Sequence, residues 1–173
     1  MIELVIGGAR SGKSGYAERQ ALATGLRVTY LATAQALDAE MAERIAHHRA
    51  RRPTGWRSIE EPVALAAALA RAAAPDTCLL VDCLTLWLTN VLLAGREAEI
   101  DGLLEALPAL PGHVILVSNE VGWCIVPSTA LARRFRDEQG RLNQRIAALA
   151  DNVTLVAAGL PLTLKHTPPS VVG

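Results

Sequence analysis

Gly7-Gly8-Ala9-Arg10-Ser11-Gly12-Lys13-Ser14 satisfies the pattern G-x-x-x-x-G-K-[ST] at every fixed position. An apolar run at residues 2–6 precedes it and a helix-forming segment at residues 14–23 follows, which is the context that this pattern requires. In such a loop several backbone N–H groups converge on a phosphate, and the N-terminus of the next helix adds partial positive charge. Lys13 is expected to reach the β- and γ-phosphates, and Ser14 to offer its hydroxyl to Mg²⁺. The stretch therefore predicts a nucleoside triphosphate site.

Composition narrows the class of protein. The chain has 173 residues, and its 17 basic and 17 acidic residues cancel. A single domain, 1–173, is expected, with no global charge that would attract nucleic acid or an anionic membrane. No apolar stretch is long enough to cross a bilayer, and a strand that begins at residue 2 leaves no room for a signal peptide. We expect a cytoplasmic protein whose odd number of cysteines stays reduced.

Strand-like and helix-like segments alternate along the chain. Strands are predicted at residues 2–6, 27–31, 78–81, 114–117 and 153–157, with a weaker one at 56–59. Helices are predicted at residues 14–23, 38–51, 62–73, 84–94 and 129–150, and residues 165–173 read as a loose tail. This alternation is typical of an α/β fold of the P-loop NTPase type, three layers thick, with a mostly parallel central sheet and helices on both faces.

Asp82 ends the apolar strand at residues 78–81, and ligand groups gather at the carboxyl ends of parallel strands. It is therefore a candidate to hold Mg²⁺ beside the phosphates. The alternative is an N-cap of the next helix, a position that Asp favours. The motifs D-x-x-G and N-K-x-D of regulatory GTPases do not follow, which disfavours a GTP-driven switch.

Two adjacent histidines lie in the predicted helix 38–51. At 100° per residue, His48 shares a stripe with Leu37, Met41 and Ile45, while His47 points to the opposite face. His48 thus faces inward or into a cleft. A hydrogen-bonded core histidine and a functional one both fit this pattern, and the arginines that follow would suit phosphates held near an imidazole.

Longer motifs extend over residues 2 to about 165, and together they resemble one enzyme family. They are Tyr30-Leu31-Ala32-Thr33-Ala34-Gln35, Arg44-Ile45-x-x-His48-x-x-x-Arg52-Pro53, Trp56-Arg57-x-Ile59-Glu60-Glu61-Pro62, Asp82-Cys83-Leu84-Thr85-x-Trp87-x-x-Asn90 and Ser118-Asn119-Glu120-Val121-Gly122. With the glycine loop, they resemble the bifunctional adenosylcobinamide kinase/adenosylcobinamide-phosphate guanylyltransferases of cobalamin assembly.

The resemblance implies two reactions. The γ-phosphate of ATP or GTP passes to a hydroxyl of the corrinoid adenosylcobinamide, and then a histidine attacks GTP and carries GMP to adenosylcobinamide phosphate, which gives adenosylcobinamide-GDP. Only His48 has the family offset from Arg44 and Pro53. The resemblance also implies a homotrimer with GTP and ATP as substrates. Around the GTP it places the glycine loop with Thr33, Ala34, Gln35, Arg49, Ala50, Arg51, Arg52, Glu60 and Asp82.

Three positions stay open. Glu60-Glu61-Pro62 also reads as the acidic first turn of a helix. Asn119 and Glu120 follow a predicted strand, where substrate contacts gather. Cys124 stands where the family usually has glycine, which puts the local loop shape in doubt. A rival interpretation of the whole chain is a single-activity P-loop kinase of another small metabolite, in which His48 is structural.

Overall fold

The computed structural model describes residues 1–35, 43, 46, 53 and 55–167. The strands in these ranges are β1 Ile2–Gly7, β2 Arg27–Ala32, β3 Arg57–Glu60, β4 Thr77–Asp82, β5 His113–Asn119, β6 Asn152–Ala157 and β7 Leu160–His166. The helices are α1 Lys13–Ala23, α2 Leu65–Ala72, α3 Leu84–Leu93, α4 Ala98–Ala106 and α5 Ala130–Leu149, with one 3₁₀ turn at Leu107–Ala109.

The strands form one seven-stranded sheet in the order β3-β2-β4-β5-β1-β6-β7. All neighbours pair in parallel except β6 and β7, which form an antiparallel hairpin. The carboxyl ends of β1 to β6 therefore lie along one edge of the sheet. Asn119 pairs with Gly7 and Val117 with Asp82, so β1 and β5 end level with each other and β4 ends two residues earlier.

Alternating residues of the strands point to two separate cores, one on each face of the sheet. On one face Leu4, Leu79 and Leu116 pack with buried side chains of α2, α3, α4 and α5. On the other face Val5 and Leu80 pack with Ala17 and Ala21 of α1. The predicted three-layer α/β fold with a mostly parallel sheet is thereby confirmed.

Two elements of the structure differ from the sequence prediction. Helix α4 occupies a stretch for which no element is predicted, and strand β7 lies partly in the expected loose tail. Because β7 continues to His166, the tail does not begin at residue 165. The turn between β6 and β7 has positive φ at both Ala158 and Gly159, the geometry of a tight two-residue hairpin.

Gly112 occupies a turn that no other residue suits. Its φ is +80°, and an added Cβ would lie 2.3 Å from the carbonyl oxygen of Ala74 and 2.5 Å from that of Thr77. Gly102 in α4 offers a matched contrast, since an added Cβ meets nothing within 4 Å.

We therefore expect Gly112→Ala to lower the free energy of unfolding by at least about 2 kcal/mol, because it adds backbone strain to a clash with backbone atoms. Gly102→Ala should raise it by about 0.5–1 kcal/mol, because the added methyl group lies in open space within a helix. Urea unfolding followed by circular dichroism measures both, and equal effects at the two glycines would contradict this account of the turn.

Candidate active site

The phosphate loop leaves β1 at Gly7 and can follow its path only without a side chain there. A Cβ on Gly7 would lie 2.4 Å from the carbonyl oxygen of Val156 and 2.6 Å from Ser11 Oγ. Further on, Arg10 has φ +55° and Gly12 φ +92°, which turns the backbone back toward α1. The Ser11 carbonyl accepts a hydrogen bond of 2.9 Å from the Gly159 N–H, so the β6–β7 hairpin buttresses the loop.

Helix α1 begins at Lys13, and Gly12 gives it no side-chain cap. Its first N–H groups therefore have no intrahelical acceptor and suit an anion. Lys13 is 9% exposed, and its Nζ donates to the Gly8 carbonyl at 3.1 Å. Burial lowers the pKa of Lys13, while Cys83 and Asp82 act in the opposite direction. The ammonium group is thus held over the loop and within electrostatic reach of the end of β4.

Asp82 lies at the carboxyl end of β4 and accepts a hydrogen bond of 3.1 Å from the hydroxyl of Tyr30. It does not cap the next helix, since α3 starts at Leu84 after Cys83 and has no side-chain cap. The N-cap interpretation of Asp82 is therefore wrong. Its half-buried carboxylate lies two strands from the phosphate loop, a lateral distance of about 10 Å.

The side-chain oxygen atoms at this edge of the sheet are of the kind that binds Mg²⁺. The hydroxyl of Ser14 and the carboxylate of Asp82 are both half-buried oxygen ligands, the kind that this ion prefers. Ser11 Oγ is buried without a hydrogen-bond partner among the described residues, as expected of a loop whose polar groups await a ligand. The described residues contain no group of three metal-binding side chains, but Mg²⁺ commonly takes one or two protein ligands with waters and substrate phosphates.

Thr33, Ala34 and Gln35 follow β2, next to Asp82. Thr33 is fully buried, and its Oγ1 donates to the Cys83 carbonyl at 2.7 Å and accepts from the Cys83 N–H at 3.0 Å. Its own carbonyl accepts from Asn90 Nδ2 at 2.8 Å. The Thr33 side chain thus fixes the loop after β4, whereas Gln35 is exposed and free to face a ligand.

The sequence predicts two alternative roles for the Glu60-Glu61 pair, contact with the nucleotide and the start of a helix. Glu60 ends β3 and is exposed at the same edge of the sheet, four strands from β1 and about 19 Å away laterally. Glu61 Oε1 accepts from the N–H groups of Val63 and Ala64 at 3.1 and 2.8 Å. Both N–H groups precede α2, which begins at Leu65 and has no acidic residue in its first turn, so the helix-start interpretation is wrong. Glu61 instead closes the turn before α2, and nucleotide contact stays a prediction for Glu60.

His48, Arg49, Ala50, Arg51 and Arg52 lie outside the described residues. Within the predicted helix 38–51, Glu43 and Ala46 are described, and both are helical and exposed. The predicted role of His48 accordingly stays a prediction.

Hydrogen bonds with side chains of α3 and α5 hold the end of β5, and the sequence motifs do not predict them. The Asn119 N–H donates to Thr85 Oγ1 at 2.9 Å, and Asn143 Nδ2 donates to the Asn119 carbonyl at 3.1 Å. Ser118 Oγ donates to Asn143 Oδ1 at 2.6 Å, and Gln139 Nε2 donates to Ser118 Oγ at 2.9 Å. The sequence does contain a signal for this network. Gln139 and Asn143 are polar residues four positions apart in a predicted helix, so they lie on one face of it and can reach the same strand end.

Cys124 lies in the loop after β5, exposed to solvent. Among the described residues, Arg10 and Ala158 are the non-glycine positions with positive φ, so Cys124 has a backbone conformation open to any residue. The departure from the usual glycine does not strain this loop.

Comparisons with known proteins agree on one family. The family model described as cobinamide kinase / cobinamide phosphate guanyltransferase matches residues 3–164. The bifunctional adenosylcobalamin biosynthesis protein CobP of Pseudomonas aeruginosa is 57% identical, covering 97% of this chain and 99% of the relative. The protein CobU of Salmonella typhimurium is 43% identical, covering 95% and 100%. The chain belongs to the cobinamide kinase / cobinamide phosphate guanyltransferase family.

Solved structures of distant proteins share the fold of this family member. The flagellar accessory protein FlaH from Methanocaldococcus jannaschii superposes with a TM-score of 0.54 at 14% identity, covering 96% of this chain and 78% of its own. The protein PH0250 from Pyrococcus horikoshii does so with a TM-score of 0.54 at 10% identity, covering 95% and 86%. These likenesses concern architecture alone. No helix in the described part of the chain is long and apolar enough to span a bilayer.

The three cysteines of this family member should differ in reactivity. Burial raises the pKa of both Cys78 and Cys83 to about 11, so that their thiols stay protonated at neutral pH. Exposed Cys124 should therefore react first with iodoacetamide in the native protein, with the other two reacting after urea unfolding. Peptide mass spectrometry reads the sites, and an early adduct on Cys83 would contradict the closed packing around Asp82.

Proposed function

We propose that one domain, 1–173, carries out both reactions of its family. In the first, the γ-phosphate of ATP or GTP is transferred to a hydroxyl of adenosylcobinamide. In the second, GMP from GTP is transferred through His48 to adenosylcobinamide phosphate. The observation that carries the proposal is the glycine loop at the end of β1, with Lys13 bonded across it to the Gly8 carbonyl and Asp82 at the same edge of the sheet on β4, in a chain of this family.

The kinase reaction uses the described part of the site. The N–H groups at the start of α1 and the Lys13 ammonium bind the triphosphate tail, which leaves the γ-phosphorus exposed toward the ends of β5 and β4. Ser14 and Asp82 would hold Mg²⁺, which neutralises charge on the phosphate oxygens during transfer. Little covalent work falls to the protein in such a transfer, and positioning accounts for most of the rate.

Guanylyl transfer needs a nucleophile that attacks the α-phosphorus. A neutral imidazole, with an ordinary pKa of about 6.5, is such a nucleophile at neutral pH. Arg49, Arg51 and Arg52 would stabilise charge on the transferring group, with Ala50 between them. Support for this assignment comes from the family motif around His48 and from the helical stripe, which predicts that its ring faces inward or into a cleft.

The rest of the nucleotide is proposed to lie along the sheet edge. Thr33, Ala34 and Gln35 follow β2, and Glu60 ends β3, so these positions continue from the phosphate loop past Asp82 in one direction. An extended ligand such as a nucleotide could lie along these positions. The backbone of Thr33, Ala34 and Gln35 is a better candidate for contact than the buried Thr33 hydroxyl.

We also propose a cytoplasmic homotrimer. Exposed apolar side chains on the loop after β5 and at the start of α5 favour a contact between copies of the chain. They are Trp123 (77%), Ile125 (92%), Val126 (62%) and Leu131 (60%). Light scattering after size-exclusion chromatography measures the mass in solution, and a monomer would refute the trimer.

Lys13→Ala tests the shared binding site. We expect both activities to fall by at least about 10²-fold, because each reaction needs the triphosphate held by this ammonium group. Lys165 is the other lysine of the chain, and its Nζ donates to the carbonyls of Ala147 and Ala148 at the end of α5. Lys165→Ala is the matched control and should leave both rates unchanged. If Lys13→Ala kept either activity at the wild-type level, that reaction would not use this loop.

His48→Asn tests the second reaction. After incubation with GTP labelled at the α-phosphate, the wild-type protein should carry acid-labile, base-stable label, the behaviour of a phosphoramidate. The variant should lose that label and keep most of its kinase activity, since only guanylyl transfer needs the imidazole. His47→Asn is the control and should label normally. Absence of label on the wild type would leave the single-activity kinase as the function of this chain.

A further inference from the structure

Strand β5 separates the phosphate loop on β1 from Asp82 on β4. The Lys13 ammonium is bonded to the Gly8 carbonyl within the loop on β1. A phosphate held by this loop, with a metal ion at Asp82 on β4, would lie beside the end of β5, where Asn119 and Glu120 are located.

Glu120 is held in place by its backbone and by one of its two carboxylate oxygens. Its N–H donates to the Gly7 carbonyl at 3.1 Å, which anchors it beside the start of the phosphate loop. Oε1 accepts from the Gly122 N–H at 2.7 Å. Oε2 makes no hydrogen bond with the residues that the structure describes, and the side chain is half-exposed. The residue before it, Asn119, is fixed through Thr85 and Asn143.

The other carboxylates at this edge have different positions or duties. Asp82 accepts a hydrogen bond from Tyr30 and is the proposed metal ligand. Glu61 accepts hydrogen bonds from the Val63 and Ala64 N–H groups in the turn before α2. Glu60 lies about 19 Å from the phosphate loop along the sheet edge, whereas Glu120 is one strand away, about 5 Å. Among the described carboxylates, Glu120 is thus the one placed to meet a group that approaches the γ-phosphorus.

We propose that Glu120 is the general base of the kinase reaction, an inference that rests on the proposed function. Its Oε2 accepts the proton of the acceptor hydroxyl as that oxygen forms a bond to the γ-phosphorus. The bond from the γ-phosphorus to the bridging oxygen breaks, and the nucleoside diphosphate leaves with that electron pair. The proton then passes from Glu120 to solvent. General bases in this role contribute about 10²–10⁴-fold to the rate.

The same residue has no such task in guanylyl transfer. A neutral imidazole attacks the α-phosphorus with a lone pair that bears no proton, and the final acceptor is a phosphate oxygen that is already ionised. Neither step removes a proton from a hydroxyl. Loss of the Glu120 carboxylate should therefore separate the two activities, which a merely structural residue would not do.

The test compares Glu120→Gln with Glu138→Gln in the full chain. The glutamine variant keeps an oxygen to accept from the Gly122 N–H, so that the turn is preserved, but it cannot take up a proton at neutral pH. Glu138 is paired with Arg141 on α5, outside the phosphate loop and the loop after β5, and serves as the control. Kinase kcat with adenosylcobinamide, α-phosphate labelling of the protein and GMP transfer to adenosylcobinamide phosphate are measured for each.

We expect Glu120→Gln to lower kinase kcat by about 10²-fold or more and to leave labelling and GMP transfer at the wild-type level. Glu120→Asp should recover part of the kinase rate, and Glu138→Gln should match the wild type throughout. Retained kinase kcat in Glu120→Gln, or an equal loss of all three activities, would overturn the assignment. A wild-type protein without kinase activity would refute the proposed function as well, whereas an active wild type with an unaffected variant refutes only the role of Glu120.

Discussion

The parallel pairing of β1, β5 and β4 is the constraint on which the site depends. Backbone hydrogen bonds fix Gly7 opposite Asn119 and Asp82 opposite Val117, so three chain segments far apart in sequence end at one edge. Each residue advances a strand by about 3.3 Å, and a slip of two residues would displace an end by about 6.6 Å. Such a slip preserves the inward alternation of side chains but shifts Asp82 or Glu120 relative to the phosphate loop. The register therefore determines the chemistry as well as the core.

Buried polar contacts hold the loops that follow these strands. Thr33 ties the end of β2 to the Cys83 backbone, Thr85 ties α3 to β5, and Asn143 ties α5 to β5. Removing one partner leaves a buried donor or acceptor unsatisfied, which costs about 1–3 kcal/mol. Apolar packing alone would stabilise the same layers but would not specify where each loop begins. These contacts therefore convert a stable sheet into a positioned site.

The sequence predicts the central layers well because their signals are local. Apolar runs identify β1, β2, β4 and β5, although Glu3 interrupts the first and Thr29 the second, and the glycine loop identifies α1. Helix α4 was missed although Ile100, Leu103, Leu104 and Leu107 have helical spacing, because Gly102 interrupts the pattern. Strand β7 was missed because Pro161 lies within it and its leucines are exposed rather than buried.

Individual roles were harder to predict than elements, since they depend on contacts between distant positions. Asp82 could equally have capped a helix until its partner, Tyr30, was seen 52 residues away. Glu60 and Glu61 are adjacent and chemically identical, yet Glu60 ends β3 whereas Glu61 accepts from the N–H groups of Val63 and Ala64 in the next turn. Local sequence shows which residue types are available, and the contacts made in the fold decide what each of them does.

A single phosphate-binding loop can serve both transfers if the groups that assist only one of them belong to different segments of the chain. In the proposed mechanism the triphosphate tail is common to both reactions and lies on the loop between β1 and α1. The proposed acceptors of the transferred groups differ: a substrate hydroxyl beside the end of β5 takes the γ-phosphate, and the imidazole of His48 takes GMP. Because proton removal concerns only the hydroxyl, a carboxylate on the rigid β5 end can assist one reaction without hindering the other. Each transfer thus has its own assisting residue, Glu120 or His48, while the anion-binding loop is common to both.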